Sequence, residues 1–277
     1  MTQTLRDLLA ASSLPRLEAH LLWQQVLGVS RAWLIAHDTD PLAPEPIAAY
    51  RTLEARRMAG EPMAYLLGTR EFFGRDFRVG PAVLIPRPDT ELLVECGLRA
   101  LQDMSSPEVL DLGTGSGIVA VTLALERPDA RVRATDCSAE ALEVAQENAR
   151  ALGAKLWFSH GNWYDTELGS ARFDLIVSNP PYIDARDAHL EQGDLRFEPR
   201  GALTDGADGL QALRSIVQGA PDHLHPGGVL CVEHGWDQAA AVRSLFLNRG
   251  FVDVASERDL AGIERVTRGI FRRDHHD

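Results

Sequence analysis

Asp111-Leu112-Gly113-Thr114-Gly115-Ser116-Gly117 begins within a strand-like run at 109–112 and ends directly before a helical stretch at 118–126. Glycine at every second position between a strand and a helix lets the backbone turn tightly and approach a ligand closely. Downstream, strand and helix patterns alternate. Residues 132–135 read as a second strand, followed by an Ala- and Glu-rich helix at 139–152. Residues 155–159 and 173–178 read as the third and fourth strands, 210–220 as a helix and 228–233 as a fifth strand. Strands separated by helices of this length need right-handed crossovers, so the pattern predicts an α/β fold with a mainly parallel, doubly wound sheet. Two late β-rich segments, 251–255 and 265–271, are expected to finish its edge as a hairpin.

Upstream the texture differs. Residues 1–70 read as short amphipathic helices: Leu5, Leu8 and Leu9 share a face, as do the pairs Leu17/Leu21 and Leu22/Val26. Gly28 is a stop, Ser30 a cap for 31–37, and a longer helix after Pro44 passes through Ile47, Tyr50, Leu53 and Arg57 to Gly60. At 68–87 aromatic and β-branched residues broken by glycine suggest a hairpin between two domains. The expected organisation is a helical domain at 1–70, a hairpin linker at 71–87 and the sheet domain at 88–277.

The 277 residues fit this two-domain reading, at about 150 residues per domain. With 45% hydrophobic and 25% charged residues, the chain is neither collagenous, nor low-complexity, nor a disulfide scaffold. Lys and Arg number 28 against 40 Asp and Glu, a net charge of −12, which argues against stable nucleic-acid binding while leaving room for a local basic patch. Cys96, Cys137 and Cys231 include no C-x-x-C pair and read as reduced thiols. No H-E-x-x-H spacing exists, His275 and His276 sit in a tail, and no metal is expected. The N-terminus lacks a signal-peptide pattern, and no apolar run approaches the roughly 20 residues that span a bilayer. The expectation is a cytoplasmic, monomeric chain without a membrane partner.

The glycine spacing narrows the ligand. A dinucleotide fingerprint would need glycine at 118, where Ile118 stands, and no Walker-type G-x-x-x-x-G-K-[ST] is present. Gly115-Ser116-Gly117 lacks the G-x-S-x-G of a serine hydrolase. The G-x-G-x-G of Gly113, Thr114, Gly115, Ser116 and Gly117 is the spacing of Rossmann-like methyltransferases that bind S-adenosylmethionine. Asp136 ends the second strand 19 residues past Gly117, where a carboxylate accepts both hydroxyls of a ribose; it could equally cap the following helix, as could Ser138. After the third strand, Asn162 is placed to hydrogen-bond an adenine and Trp163 to stack on or wall it, the alternative being a core tryptophan.

The reacting group is indicated by Ser178-Asn179-Pro180-Pro181-Tyr182 at the carboxyl end of the fourth strand, where an open α/β sheet keeps its ligand crevice. Two prolines fix the backbone and remove two N–H donors. The Asn179 side-chain oxygen and the Pro180 carbonyl then suit the two hydrogens of a planar –NH2, against which Tyr182 packs. The alternative is a plain rigid turn.

Loop and Asn-Pro-Pro-Tyr together resemble the amino-methyltransferases of adenine amines and glutamine amides. Glu61-Pro62-Met63-Ala64-Tyr65-Leu66-Leu67-Gly68, Glu71-Phe72-Phe73-Gly74 and Ile85-Pro86-Arg87-Pro88-Asp89-Thr90-Glu91 resemble the HemK/PrmC family, as do Glu198-Pro199-Arg200, Asp205-Gly206-Ala207-Asp208-Gly209-Leu210, Glu233-His234-Gly235 and Asp259-Leu260-Ala261-Gly262. The resemblance implies a class I fold with a seven-stranded sheet and methyl transfer from S-adenosylmethionine to the glutamine amide of a Gly-Gly-Gln loop in class 1 peptide chain release factors. It also implies docking of that partner by the helical domain. Asn162 departs from the aspartate of many relatives. The alternative, an adenine-N6 methyltransferase of DNA or RNA, shares the same four residues but finds no basic reading surface here. Residues 183–209, polar and aperiodic, read as a loop that covers the site and orders when substrate binds.

Overall fold

The computed structural model describes residues 3–272; His275 and His276 lie outside them. Helices α1 (Leu5–Ala11), α2 (Arg16–Leu27), α3 (Arg31–Ala36), α4 (Pro44–Met58) and α5 (Met63–Leu67) form the N-terminal bundle. Thr4 and Asp7 make a reciprocal capping box on α1, and Ser30 caps α3 through the Trp33 N–H. Trp23 of α2 stacks on Tyr50 of α4, ring centroids 4.2 Å apart, inside a core of Leu5, Leu8, Leu22 and Leu34. The face of α2 that is buried is Ala19-Leu22-Trp23, joined by Val26, so the Leu17/Leu21 pairing does not define it and Leu17 stays 62% exposed.

Strands β1 (Thr69–Phe72) and β2 (Arg75–Arg78) pair antiparallel around Phe73 and Gly74, both with positive φ, as a tight two-residue turn requires. The hairpin ends at Arg78, short of the expected boundary, and residues 79–87 are irregular chain with a turn at 81–82. Phe72 and Phe77 pack edge to face (centroids 6.1 Å apart) into the core of the larger domain.

That domain comprises α6 (Glu91–Ala100), β3 (Glu108–Leu112), α7 (Ile118–Glu126), β4 (Arg131–Asp136), α8 (Ala139–Leu152), β5 (Trp157–His160), β6 (Phe173–Ser178), α9 (Arg200–Leu203), α10 (Gln211–His223), β7 (Leu224–Glu233), α11 (Ala239–Asn248), β8 (Phe251–Arg258) and β9 (Glu264–Phe271). The seven strands are ordered β5-β4-β3-β6-β7-β9-β8, the first five parallel and the last two an antiparallel edge hairpin. Alternation along the strands feeds two cores. Val109, Leu175, Val177 and Cys231 face α6 and α7, while Leu110, Ile176, Leu230 and Val232 face α10 and α11. Helix α11 is not foreshadowed by the sequence pattern: it lacks a side-chain cap, and its buried positions are few (Ala239, Val242, Phe246).

The strand register places the site. Leu112 lies opposite both Thr135 and Ser178, and Ser178 lies opposite Val232. The next residues on the four strands are Gly113, Asp136, Asn179 and Glu233, which therefore form one aligned row along the carboxyl edge. Ser178 Oγ donates to the Leu112 carbonyl (2.7 Å) and fastens the two central ends together.

Residues 183–209 are folded, contrary to the expectation of a loop awaiting substrate. They contain two short 3-10 turns and α9; Leu190 and Leu203 are buried, and Ile183 and Ala185 N–H groups donate to Leu203 and Ala207 carbonyls (3.0 Å each). The segment also meets the helical bundle. Arg57 holds Glu18 with two hydrogen bonds (2.8 and 2.9 Å) and reaches Asp194 at 3.9 Å, and Arg196 donates to the Ala59 carbonyl (3.3 Å). Among the described residues no helix is long and apolar enough to cross a membrane.

Buried Asn148 of α8 joins three pieces: its Oδ1 accepts from the Arg78 N–H (2.7 Å), and its Nδ2 donates to the Arg78 and Ser116 carbonyls (3.0 and 2.8 Å). Asn148→Ala strands these backbone groups and is expected to lower unfolding stability by about 1–3 kcal/mol, measured by urea denaturation.

Candidate active site

Gly113, Gly115 and Gly117 all have positive φ (71°, 56° and 84°), a region that costs side chains with a Cβ energy. At Gly117 a Cβ would also come within 3.1 Å of Ala145, because α7 and α8 converge there. The Gly113 and Thr114 N–H groups donate to the Thr135 carbonyl (2.9 Å each), which pins the loop to the end of β4. Asp136 then accepts from the Gly115 N–H through Oδ2 (2.8 Å) and from the Ser138 N–H through Oδ1 (2.9 Å). Ser138, not Asp136, caps α8 by accepting from the Ala141 N–H (3.1 Å). Each Asp136 oxygen keeps lone-pair capacity for a further donor, as a ribose diol would need.

A cavity of about 270 Å³ opens on this loop. Gly113, Thr114, Gly115, Ser116, Asp136, Asn162, Trp163, Asn179 and Pro181 all line it. Asn162 is exposed on its wall. Trp163, itself at positive φ (50°), lays its ring 3.3 Å from where a Gly113 Cβ would stand and backs onto the second core. The wall and core readings of this tryptophan thus both describe it. A polar carboxylate on one side and an indole on the other, joined by a glycine loop open to the cavity, suit the ribose and base of a nucleoside cofactor.

Pro180 is buried and is not part of the wall, contrary to the expectation that its carbonyl faces the reacting group. Tyr182 is not in the wall either: it packs, partly buried, on the second core, and its hydroxyl donates to Glu233 Oε1 (3.1 Å). Burial and the neighbouring Glu233 carboxyl raise the Tyr182 phenol well above its ordinary range. Gln238 Nε2 donates to the Tyr182 carbonyl (3.0 Å) and holds the end of the motif. Asn179 is oriented by Thr90, whose Oγ1 accepts from Asn179 Nδ2 (3.1 Å). That commits the amide nitrogen and leaves Oδ1 available. Thr90 and Glu233 were not among the expected site residues, although both stand in segments on which the family resemblance was read; only the tertiary fold brings Thr90 to Asn179 and Glu233 to Tyr182.

Two segments roof the cavity, 81–87 and 199–202. They are joined by Glu198, whose side chain is fully buried, accepts from the Ile85 N–H (2.9 Å) and pairs with Arg87. At the floor lies Asp111, 1% exposed, accepting from Thr114 Oγ1 (2.7 Å). Burial pushes its carboxyl up to about 7 despite the Thr114 hydroxyl and the Ala120 N–H, which favour the charged form.

Residues 88–195 match the family model described as Methyltransferase small domain, and residues 1–68 match that described as PrmC N-terminal domain. The chain is 62% identical to the Release factor glutamine methyltransferase of Bordetella pertussis (strain Tohama I), covering 96% of this chain and 98% of that protein. Identity to the protein of the same name from Neisseria gonorrhoeae is 53%, over 97% and 98%. Among solved structures, a methyltransferase from Pyrococcus furiosus superposes with a TM-score of 0.54 at 19% identity, over 80% of this chain and 98% of that one. The T. thermophilus 16S rRNA N2 G1207 methyltransferase, solved with AdoMet and guanosine, gives 0.55 at 22%, over 74% and 50%. These two share the fold.

Asp111 yields a test of the floor. The unfolded chain releases this proton near 4 and the folded chain near 7, so its burial destabilises the fold increasingly as pH rises through that window, by about 1.4 kcal/mol per pH unit. Glu233, raised to about 7, acts in the same sense, while His223 and His234, lowered by burial, act oppositely below their ordinary value. Comparing wild type with Asp111→Asn isolates the one group. Urea denaturation between pH 5 and 8 is expected to show stability falling less steeply with pH in Asp111→Asn.

Proposed function

The chain belongs to the release factor glutamine methyltransferase family, and we propose that it transfers a methyl group from S-adenosylmethionine to the side-chain amide nitrogen of a glutamine, that of the Gly-Gly-Gln loop in class 1 release factors. The observation that carries the residue-level reading is the paired placement of Gly113 and Asn179 at the ends of adjacent strands, with the Asn179 nitrogen committed to Thr90. Bound against the glycine loop, S-adenosylmethionine supplies a methyl group on a positively charged sulfur. Asp136 would hold the ribose hydroxyls, Asn162 would meet the base edge and Trp163 would wall the base, with Gly113, Thr114, Gly115 and Ser116 beneath; Gly117 lies outside the lining, packed against α8.

An amide nitrogen is a poor nucleophile because its lone pair is delocalised into the carbonyl. Asn179 Oδ1, which lines the cavity, accepts one of its two N–H hydrogens, whereas the Pro180 carbonyl lies outside the wall and meets the second only if the seated amide reaches past Asn179. The contact holds the nitrogen in one orientation, and the acceptor dipole stabilises the positive charge that grows on it as the N–C bond forms. Pro180 and Pro181 contribute rigidity, since neither can turn a backbone N–H toward the substrate. Tyr182, anchored at its hydroxyl and its carbonyl, fixes the far end of the motif. The proton left on nitrogen after transfer is acidic enough to pass to water, so no dedicated base is needed. Residues 1–70 serve as the docking domain for the protein substrate, 71–87 as the linker and 88–277 as the catalytic domain. The enzyme works as a monomer in the cytoplasm.

Incubation with methyl-labelled cofactor and, separately, a release factor, duplex DNA and ribosomal RNA tests the substrate class. Label is expected in the release factor; label on nucleic acid but not on the factor overturns the proposal. Asn179→Ala is expected to lower kcat by about 10²–10³ while retaining cofactor binding measured by calorimetry.

A further inference from the structure

Glu233, the last residue of β7, has no part in the transfer chemistry assigned to the Asn-Pro-Pro-Tyr motif. Its side chain is 1% exposed, Oε1 accepts from Tyr182, and Oε2 has no hydrogen-bond partner among the described residues. A buried carboxyl oxygen left without a donor is costly, so its retention calls for a cause. The neighbouring Thr90, also 1% exposed, faces the same carboxyl and favours its charged form. Thr90 Oγ1 already accepts from Asn179, so its hydroxyl hydrogen is what it has left to give. An oxygen lacking a donor and a hydroxyl with a hydrogen to spare thus lie near one another beside the reacting motif, with no hydrogen bond between them as the chain stands.

We propose, on the strength of the role assigned to Asn179, that Glu233 is a positioning residue that sets which way round the Asn179 amide sits. An ionised carboxyl accepts and never donates. Thr90 beside it must therefore donate, its oxygen must accept from Asn179, and the amide presents Oδ1 to the substrate. The two ends of an asparagine amide have nearly the same shape, so sterics alone would not choose between them. A donor at position 233 releases the relay. Thr90 can then accept from position 233 and turn its hydrogen to Asn179 Oδ1, which admits the orientation that points an –NH2 group at the substrate's own –NH2. Tyr182, donating to the other Glu233 oxygen, ties the far end of the motif to the same carboxyl.

The relay has a pH signature. Burial pushes the Glu233 carboxyl up to about 7; the Thr90 and Tyr182 hydroxyls and Arg265 favour its charged form, and Asp89 opposes it. Protonation makes Glu233 a donor and frees the amide to turn, so transfer is expected to decline as pH falls through about 7.

The full-length enzyme, assayed with S-adenosylmethionine and a release factor between pH 6 and 9, tests this with Glu233→Gln, Thr90→Val, their double variant and Asn179→Ala. Glu233→Gln is expected to lower kcat at least about tenfold, leave KM for S-adenosylmethionine within about twofold, and abolish the acid limb of the profile. Thr90→Val is expected to lower kcat comparably, and the double variant to lose no more than either single one, because the two act through one relay. Wild-type kcat and acid limb in Glu233→Gln, or losses that multiply in the double variant, overturn the relay while an inactive Asn179→Ala leaves the reading of the motif standing. An active Asn179→Ala overturns both. If Glu233→Gln does not fold, as judged by thermal melting, Thr90→Val decides alone, and wild-type kcat in it overturns the proposal.

Discussion

The molecule is organised by the common ending of four parallel strands. Ladder hydrogen bonds hold Leu112, Thr135, Ser178 and Val232 in one row, so the residue after each is delivered to the carboxyl edge whatever its side chain. The chain spends those four positions on a glycine, two carboxylates and an asparagine, none of which a strand interior would favour. A slip of one residue in β6 would send its side chains to the opposite faces and put Ser178 where Asn179 stands. Ser178 guards against that slip, since its hydroxyl is bound to the Leu112 carbonyl within the core. Fidelity of register and placement of the reacting group are here one property.

The row alone leaves the crevice open on one side. Residues 81–87 and 199–202 close it, although more than a hundred positions separate them in the chain. What joins them is a carboxylate with no exposed surface, Glu198, met by the Ile85 N–H and the Arg87 guanidinium. Removing either partner from such a pair leaves a desolvated charge, whereas the intact pair contributes little net stability. The pair is therefore better understood as a device for specifying which segments meet than as a source of folding energy.

Much of this was legible in the residues. Period-two apolar runs and the turn chemistry at Gly113 to Gly117 report local preferences that the fold does not overrule, so the parallel strands and the cofactor loop stand where the pattern puts them. The less legible parts depend on distant partners. Helix α11 buries only three residues deeply and has no capping side chain, so nothing in its own stretch announces it. Leu17 and Leu21 satisfy helical spacing as well as Leu22 and Val26 do, and only the position of Tyr50 on α4 decides which stripe turns inward. Residues 183–209 look like loop because their order comes from contacts with Ile85, Arg87 and the bundle rather than from their own periodicity. Thr90 lies 89 positions from Asn179 in the chain, and no spacing rule connects them.

The meeting of Arg57, Asp194 and Arg196 with the end of α4 bears on how such a chain is passed down. Gly60, at φ +96°, leaves the space into which the Arg196 guanidinium reaches; a Cβ there would stand 1.8 Å from its terminal nitrogen. Recombination at the apparent boundary near residue 68 would carry Arg57 and Gly60 into one lineage and Asp194 and Arg196 into another. The bundle would keep its own tryptophan-centred interior and still arrive with a seam that does not match. The unit that must fit together is thus larger than the helical bundle: it includes a short stretch of the catalytic half, far downstream.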